Sequence, residues 1–351
     1  MVVCRRVVLK ASVLAGIAAT AGGLGGLLLP RGAAAAGPGH FVVDDHTSTL
    51  FGQKTLNYRS GWQAFAYGSL ADRFFYLQPA NAGGITVAKQ RGDLRLSTIT
   101  ASGSTSSSYM QLSGFGHGVT MGVQSTSSHS YIWMETDAHA ETTGADATGR
   151  QICVFRWTGD NKTYKVSDLG TSKMPDSARF TLHPGSTQNS VCHEELTGRL
   201  LVRYRASDGK YYYAQHDAAA VRKGGDATPP VAGTRVIEES TVLAGVMGPY
   251  QSFTMYGDYL YVLKGRKDHN CPQQSTFDST ITSYNVAGAS PAFTATTSAE
   301  ASLPGREVEG LCVMVKGSSR RLCFGIKADA TCGDGQNQTT GAYYKDEFAA
   351  G

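Results

Sequence analysis

Residues 249–262 read PYQSFTMYGDYLYV, and this stretch decides the fold because the chain repeats its plan elsewhere. An aromatic–Gln–small–Phe lead, Tyr250-Gln251-Ser252-Phe253, is followed by a Gly-Asp turn and an aromatic strand, Tyr259-Leu260-Tyr261-Val262. Gly61-Trp62-Gln63-Ala64-Phe65 leads in the same way into Arg73-Phe74-Phe75-Tyr76-Leu77. His117 before Tyr131-Ile132-Trp133 fits the scheme, as does Gln188-Asn189-Ser190-Val191 before Arg199-Leu200-Leu201-Val202-Arg203. So does Glu307-Val308-Glu309-Gly310-Leu311 before Arg321-Leu322-Cys323-Phe324-Gly325. The leads recur roughly every 55–70 residues, which suits a four-stranded blade with its loops. Five such units predict an all-β chain, a five-bladed β-propeller forming one domain over residues 61–351. In a propeller the innermost strand of each blade starts at one mouth of the central channel. Gln63, His117, Gln188, Gln251 and Glu309 would then ring that mouth, a concave place for a ligand.

Composition agrees with this class. Only 17% of the 351 residues are charged, while glycine (42) and tyrosine (17) are abundant, as in all-β extracellular proteins. A formal net charge of +4 is too weak a basic signal for a nucleic-acid partner and is compatible with an anionic polymer. Outside residues 215–222, which could form a helical turn or two, no 3.6-residue periodicity is sustained; short β-rich runs end at Gly, Asp, Asn and Ser.

The N-terminus reads as an address. Arg5-Arg6-Val7-Val8-Leu9-Lys10 is a twin-arginine pattern, followed by an apolar run from Ala11 to Leu29 and small residues at 33–36. Residues 1–36 are expected to be a twin-arginine signal peptide and residues 37–60 a polar, partly ordered lead-in. The mature chain would be an extracellular monomer with no stable membrane insertion after cleavage. Cys153, Cys192, Cys271, Cys312, Cys323 and Cys332 remain after Cys4 leaves with the signal. An even count in an exported chain predicts disulfides, whose pairing the sequence does not choose. Cys312 and Cys323 flank the turn Lys316-Gly317-Ser318-Ser319 and are placed to face each other across a hairpin.

Four ordered motifs carry a resemblance: Gly114-Phe115-Gly116-His117-Gly118, the strand Trp133-Met134-Glu135-Thr136-Asp137, Gln251-Ser252-Phe253, and the run from Gly305 to Leu311. They resemble the TagC-like β-propeller of the teichoic acid biosynthesis protein C group, found also in receptor-binding proteins of phages that attack Gram-positive bacteria. The likeness spans about residues 60–348. It implies five blades and a link to cell-wall polymers such as wall teichoic acid, without settling an activity. The chain departs from that pattern at Val308, where proline is expected, in a longer region at 265–280, and in its six cysteines. The basic run Lys264-Gly265-Arg266-Lys267 in that region would either meet anionic groups or be solvated.

The candidate chemistry centres on His117, which titrates near neutral pH and is the natural acid–base group. Glu309 or Glu307 and Arg306 are its candidate catalytic partners for attack on a phosphodiester; Tyr250 or Tyr131 is its candidate partner for elimination in a uronic-acid polymer. The competing reading makes His117 a structural bond between blades. Gln63, Gln188 and Gln251 offer amide donors and acceptors to sugar or glycerol hydroxyls. Trp62, Trp133 and Tyr250 are either stacking platforms or interblade packing. No motif calls for a metal or cofactor; a divalent cation could sit near Glu135 and Asp137 or near Glu307 and Glu309, pairs that each share a strand face, or at His40, Asp44, Asp45 and His46, where a polar terminus is the competing reading. The expectation is a secreted binder of an anionic cell-wall or extracellular glycan at the channel mouth. The rival is an enzyme cleaving such a polymer, a teichoic-acid phosphodiesterase or polysaccharide lyase.

Overall fold

The computed structural model describes residues 39–246, 248–265, 279–288, 290–301, 303–329 and 338–349. Their short strands assemble into five antiparallel blades, each read from the axis outward. Blade 1 holds Ala64–Gly68, Arg73–Pro79, Leu94–Ile99 and Thr105–Ser113. Blade 2 holds Met121–Ser125, Ser130–His139, Thr148–Arg156 and Ala178–Phe180. Blade 3 holds Thr187–Glu194, Arg199–Arg205, Tyr211–Asp217 and Ile237–Glu238. Blade 4 holds Tyr250–Tyr256, Tyr259–Lys264, Thr280–Asn285 and Ser290–Thr296. Blade 5 holds Glu307–Lys316, Ser319–Ala328, Thr339–Lys345 and, from the other end of the chain, Ser48–Thr55. The first strand of each blade touches that of the next, and blade 5 returns to blade 1. The ring is closed.

Residues 37–60, expected to be a loose lead-in, thus supply the outermost strand of the last blade, antiparallel to Thr339–Lys345. Phe51 on that strand is buried and meets Trp62 edge-on with ring centres 6.0 Å apart. Joining the two ends in one sheet removes an exposed strand edge. A fifth strand, Lys162–Lys165, covers blade 1 by pairing parallel with Thr105–Ser113. The core lies between blades, where apolar side chains of one sheet meet those of the next. Fully burying one of its large side chains stabilises the fold by roughly 1.5–3 kcal/mol.

The expected helical turn near 215–222 is present as Ala218–Gly224, capped by Asp217 Oδ1 accepting from the Ala220 N–H at 2.8 Å. It starts late because Tyr211–Asp217 pairs along the whole of Arg199–Arg205 first. A second short helix, Ile85–Arg91, joins the second and third strands of blade 1.

The disulfide expectation is corrected. Cys153, Cys192, Cys312 and Cys323 are buried free thiols, and Cys271 and Cys332 fall outside the described residues. Cys312 and Cys323 do stand opposite each other in register. They stay unbonded, the Cys323 thiol contacting the Arg321 carbonyl at 3.8 Å, and burial drives the Cys312 thiol far above its usual pKa. The basic run at 264–267 is described only at Lys264 and Gly265.

Because the strands of each blade alternate in direction, one end of the ring gathers two kinds of loop. These are the segments entering each innermost strand and those joining each second strand to its third. Residues 57–63, 80–93, 114–120 and 140–147 all lie at this end, which is the mouth considered below.

Candidate functional site

Three innermost strands carry an irregularity where the sequence placed its polar lead residues. Register shifts occur between Thr187 and Ser190, between Tyr250 and Ser252, and between Glu309 and Leu311. Each bulge holds one residue more than its partner strand, which bends the strand and re-aims a side chain. The extra residue of blade 5 is Gly310, at φ 74. A Cβ there would stand 2.7 Å from the Phe65 ring, so only glycine fits.

Glu309 projects toward blade 1, where the Gln63 amide donates to its Oε1 at 3.1 Å. Lys327, from the second strand of blade 5, donates to the same oxygen and lies 2.9 Å from Glu307 Oε2. Gln251 donates to the Gly265 carbonyl at 2.8 Å and reaches Glu307 Oε1 at 3.4 Å. These groups form one network of two carboxylates around a single buried ammonium. Burial disfavours the Lys327 charge, but Glu307 and Glu309 outweigh it and hold its pKa well above the usual range. Burial pushes Glu309 up to about 7, Lys327 pulling against it and Glu307 adding to it. Three expected mouth residues, Gln63, Gln251 and Glu309, therefore belong to one network, Gln251 joining it through Glu307 rather than through the other two.

A separate cavity of about 310 Å³ opens at the mouth beside blades 2, 3 and 4. His117, Gln188, Arg203, Tyr211, Tyr250 and also Gln251 are among its walls. Arg203 is its fixed point. The guanidinium grips Glu239 through Nε and through Nη2, the latter at 2.9 Å, and sits 3.8 Å from the ring centres of both Tyr211 and Tyr250. Burial opposes the Arg203 charge; Glu239, with Tyr250 and Tyr213, more than restores it. The Tyr211 hydroxyl donates to Gln188 Oε1, whose amide nitrogen donates to Glu141 at 2.8 Å. Gln188 adopts φ 50, a left-handed conformation unusual for a residue with a side chain and held here by these two bonds.

His117 rides on the Gly114–Gly118 loop, and Glu135 explains the glycines. The buried Glu135 carboxylate accepts the Gly118 N–H at 2.6 Å and the Gly149 N–H at 2.5 Å. A Cβ on Gly116 would stand 2.5 Å from that carboxyl group. Burial pushes Glu135 up to about 7 against the pull of these N–H groups. The His117 side chain remains 21% exposed, with Nδ1 3.5 Å from Asp146. Burial and the Lys89 ammonium lower its pKa to about 4, Asp146 opposing them, so the imidazole is neutral at neutral pH.

Other expected site residues lie elsewhere. Arg306 does not join His117: it is buried, and its guanidinium donates to the Ala299 carbonyl at 2.8 Å, Ser279 Oγ at 2.9 Å and the Thr297 carbonyl at 3.2 Å. Trp62 offers no face to a ligand; it is fully buried and stacks on Phe65 at 4.5 Å. Asp137 pairs with Arg150 at 2.9 Å while Glu135 faces the glycine loop, so the two carboxylates do not converge on a cation. Among the described residues no group of three or more His, Cys, Asp or Glu side chains is placed to hold a metal ion.

Sequence reasoning missed Lys327, Arg203, Glu239 and Tyr211. Lys327 had a partial signal. The turn at 316–319 fixes the hairpin register to within one residue: counting back sets Ala328 opposite Glu307, and the bulge at Gly310 moves that pairing to Lys327. Glu239 stands in a four-residue helix between strands, where nothing in the sequence ties it to Arg203.

No protein-family model matches the chain, nor does any curated protein. Among solved structures, the tail fiber of Staphylococcus aureus phage P68 superposes with a TM-score of 0.56 at 15% identity. The match covers 86% of this chain and 53% of the tail fiber, so this chain spans about half of that one. A mannose phosphorylase from Leishmania mexicana matches at a TM-score of 0.42 and 9% identity, over 87% of this chain and 89% of its own. A thermostable family-43 glycoside hydrolase matches at 0.43 and 9%, over 83% and 91%. At such identities the likeness speaks to the propeller fold alone.

Proposed function

We propose that the chain is an exported propeller of the TagC-like kind that recognises a cell-wall or extracellular glycan of the anionic, teichoic-acid type at the mouth of its channel. The observation that carries this reading is the 310 Å³ cavity, whose wall combines tyrosine rings with amide, hydroxyl and imidazole groups. Such a wall suits sugar or polyol hydroxyls, each of which needs both a donor and an acceptor. The preference for negative charge falls to Lys89. Its ammonium is felt at both His117 and Glu309, and it has no ion pair among the described residues. Arg203 and Lys327, by contrast, are already matched by carboxylates.

One observation favours the rival reading, cleavage of the polymer with His117 as acid or base. Glu135 and His117 border the same cavity with pKa values driven apart, to about 7 and about 4. Binding is preferred because Glu135 is tied to backbone N–H groups and Arg306, the cation expected to balance phosphoryl charge, is saturated in the blade.

The test incubates the purified protein with wall teichoic acid and with uronic-acid glycans, with and without calcium. Co-sedimentation is followed alongside released phosphate monoesters and unsaturated-sugar absorbance. A binder co-sediments with one polymer, releases nothing, and weakens in His117→Ala and Gln188→Ala. Product that disappears in His117→Ala would replace binding by cleavage. No association with any polymer would sink both.

A further inference from the structure

Two histidines that play no part at the mouth face each other on the flank of blade 3. His183 lies in the crossover 181–186, which joins the outermost strand of blade 2 to the innermost strand of blade 3. His216 stands on the third strand of blade 3, Tyr211–Asp217, and is fully buried. Their Nε2 atoms are 3.3 Å apart. His183 is half-buried and is followed by the exposed Pro184 and Gly185, so solvent reaches the pair from its side.

Both rings are held in place. His183 lies flat on Tyr204, with ring centres 3.7 Å apart and planes 10° apart. Its crossover is pinned where the Thr181 N–H donates to Asp226 at 2.6 Å and the Ser186 N–H donates to the His183 carbonyl at 3.1 Å. The Thr228 and Pro229 carbonyls stand beside the His216 ring, whose Nδ1 is buried without a partner at bonding distance among the described residues.

The spacing of the pair is that of two ligands on one ion. Imidazole nitrogens bound to one tetrahedral ion at about 2.0–2.1 Å stand about 3.3 Å apart, with ring centres about 5.2 Å apart. Here the nitrogens are 3.3 Å and the ring centres 5.2 Å apart. A straight N–H···N bond of that length would set the centres farther apart, so the rings are bent off the line between their nitrogens. Without an ion, one Nε2–H meets the other ring's lone pair. Moving that single proton to Nδ1 of its own ring turns two lone pairs toward each other, with no change of backbone or rotamer. A ligating imidazole needs an acceptor for its other N–H, and the Thr228 and Pro229 carbonyls offer one at His216.

We propose that His183 and His216 bind one divalent transition-metal ion of the zinc class through their Nε2 atoms, water filling the remaining positions. No third His, Cys, Asp or Glu converges there among the described residues, so the ion keeps positions open to solvent. Imidazole nitrogen favours Zn²⁺ and its neighbours over Mg²⁺ and Ca²⁺, which take oxygen ligands. The bound ion would fasten the crossover to blade 3. This site is independent of the glycan reading.

The test titrates Zn²⁺, with Mg²⁺ as control, into the tag-free protein by isothermal calorimetry, alongside thermal melts. One Zn²⁺ per chain is expected to bind and to raise the melting temperature as its concentration rises, with no effect of Mg²⁺. His183→Phe keeps a ring on Tyr204 and removes the nitrogen; it should weaken Zn²⁺ binding at least about tenfold, since even an outer partner of a metal ligand is worth that much. His183→Gln should do the same, and His139→Ala, an exposed histidine of blade 2, should change nothing. Melts without Zn²⁺ check that each variant is folded. Binding that survives both His183 variants, or that disappears in His139→Ala, would overturn the site by placing the ion elsewhere. If the wild-type protein neither binds Zn²⁺ nor gains stability from it, the pair is a hydrogen bond and nothing more.

Discussion

Lys327→Met is the sharpest test of the network at the channel mouth. The Lys327 and Glu309 side chains are 5% and 4% exposed, so the change leaves two carboxylates facing one another without their cation. Removing one partner of a buried pair costs about 3–5 kcal/mol, because the remaining charge is uncompensated. Glu309 keeps the Gln63 donor at 3.1 Å, which places the expected loss toward the lower end. The pH dependence gives the result its signature. Glu309 in the native protein is already raised from 4.5 to about 7, and losing the ammonium raises it further. A carboxyl whose folded pKa lies above its unfolded value holds more protons when folded, so stability is fully present below the unfolded pKa. It is lost as pH rises through the folded one, at about 1.4 kcal/mol per unit. Urea unfolding of both proteins should therefore show a gap of about 3–5 kcal/mol near pH 8 that narrows to below about 2 kcal/mol near pH 5.5. Lys327→Met/Glu307→Gln/Glu309→Gln should recover much of the loss, since neutral partners need no cation. A gap under about 1 kcal/mol at both pH values would place the pair with weak surface ion pairs and refute the argument.

Other expectations follow from single contacts. Gly116→Ala drives a methyl to within 2.5 Å of the Glu135 carboxyl group and should cost about 1–3 kcal/mol in urea unfolding, with weakened polymer binding as the His117 loop shifts. An unchanged unfolding midpoint would show that the loop gives way freely. Tyr211→Phe removes the hydroxyl that holds Gln188 and should weaken polymer binding about fivefold, a loss of about 1 kcal/mol, with little change in melting temperature. Equal affinity would mean that Gln188 is held well enough by Glu141. Alkylation of the unfolded protein without reductant, read by mass spectrometry, should label Cys153, Cys192, Cys312 and Cys323. Protection of Cys312 and Cys323 as a pair would restore the cross-strand disulfide.

The blade plan was legible because its signal repeats. A lead, a turn and an aromatic strand recur at each innermost hairpin, and burial of alternate side chains enforces the phase at every copy. What happens farther out was not legible. Ser48–Thr55 looks like a polar terminus because an outermost strand buries only one of its eight residues, Phe51. The cysteine reading failed for a different reason. An even count in an exported chain is a statement about compartment, whereas these thiols are spent as small apolar groups inside and between blades, where burial suppresses the thiolate that exchange requires.

The ring of lead residues was half legible, and the bulges show why. Counting by period assumes that equivalent positions point the same way, and a bulge breaks that assumption at the residue of interest. In blade 5 the extra residue is a glycine after Glu309, and Glu309 stays on the axis with Gln63 and Lys327. In blade 3 the shift spans Gln188 and Asn189 themselves. Gln188 is thrown into the left-handed region and outward to Glu141 and Tyr211, while Asn189 turns back to the Arg150 carbonyl at 2.8 Å. Blade 2 departs further, since its lead, His117, precedes its innermost strand by four residues and is carried on a glycine loop instead. The five leads therefore fall into a closed polar network between blades 4, 5 and 1 and an open cavity between blades 2, 3 and 4, with Gln251 bordering both. The first consumes its own charges and stabilises the ring; the second leaves an imidazole and an amide at its wall. The leads thus lack the fivefold symmetry that their spacing suggests, and the open polar groups lie on one side of the mouth.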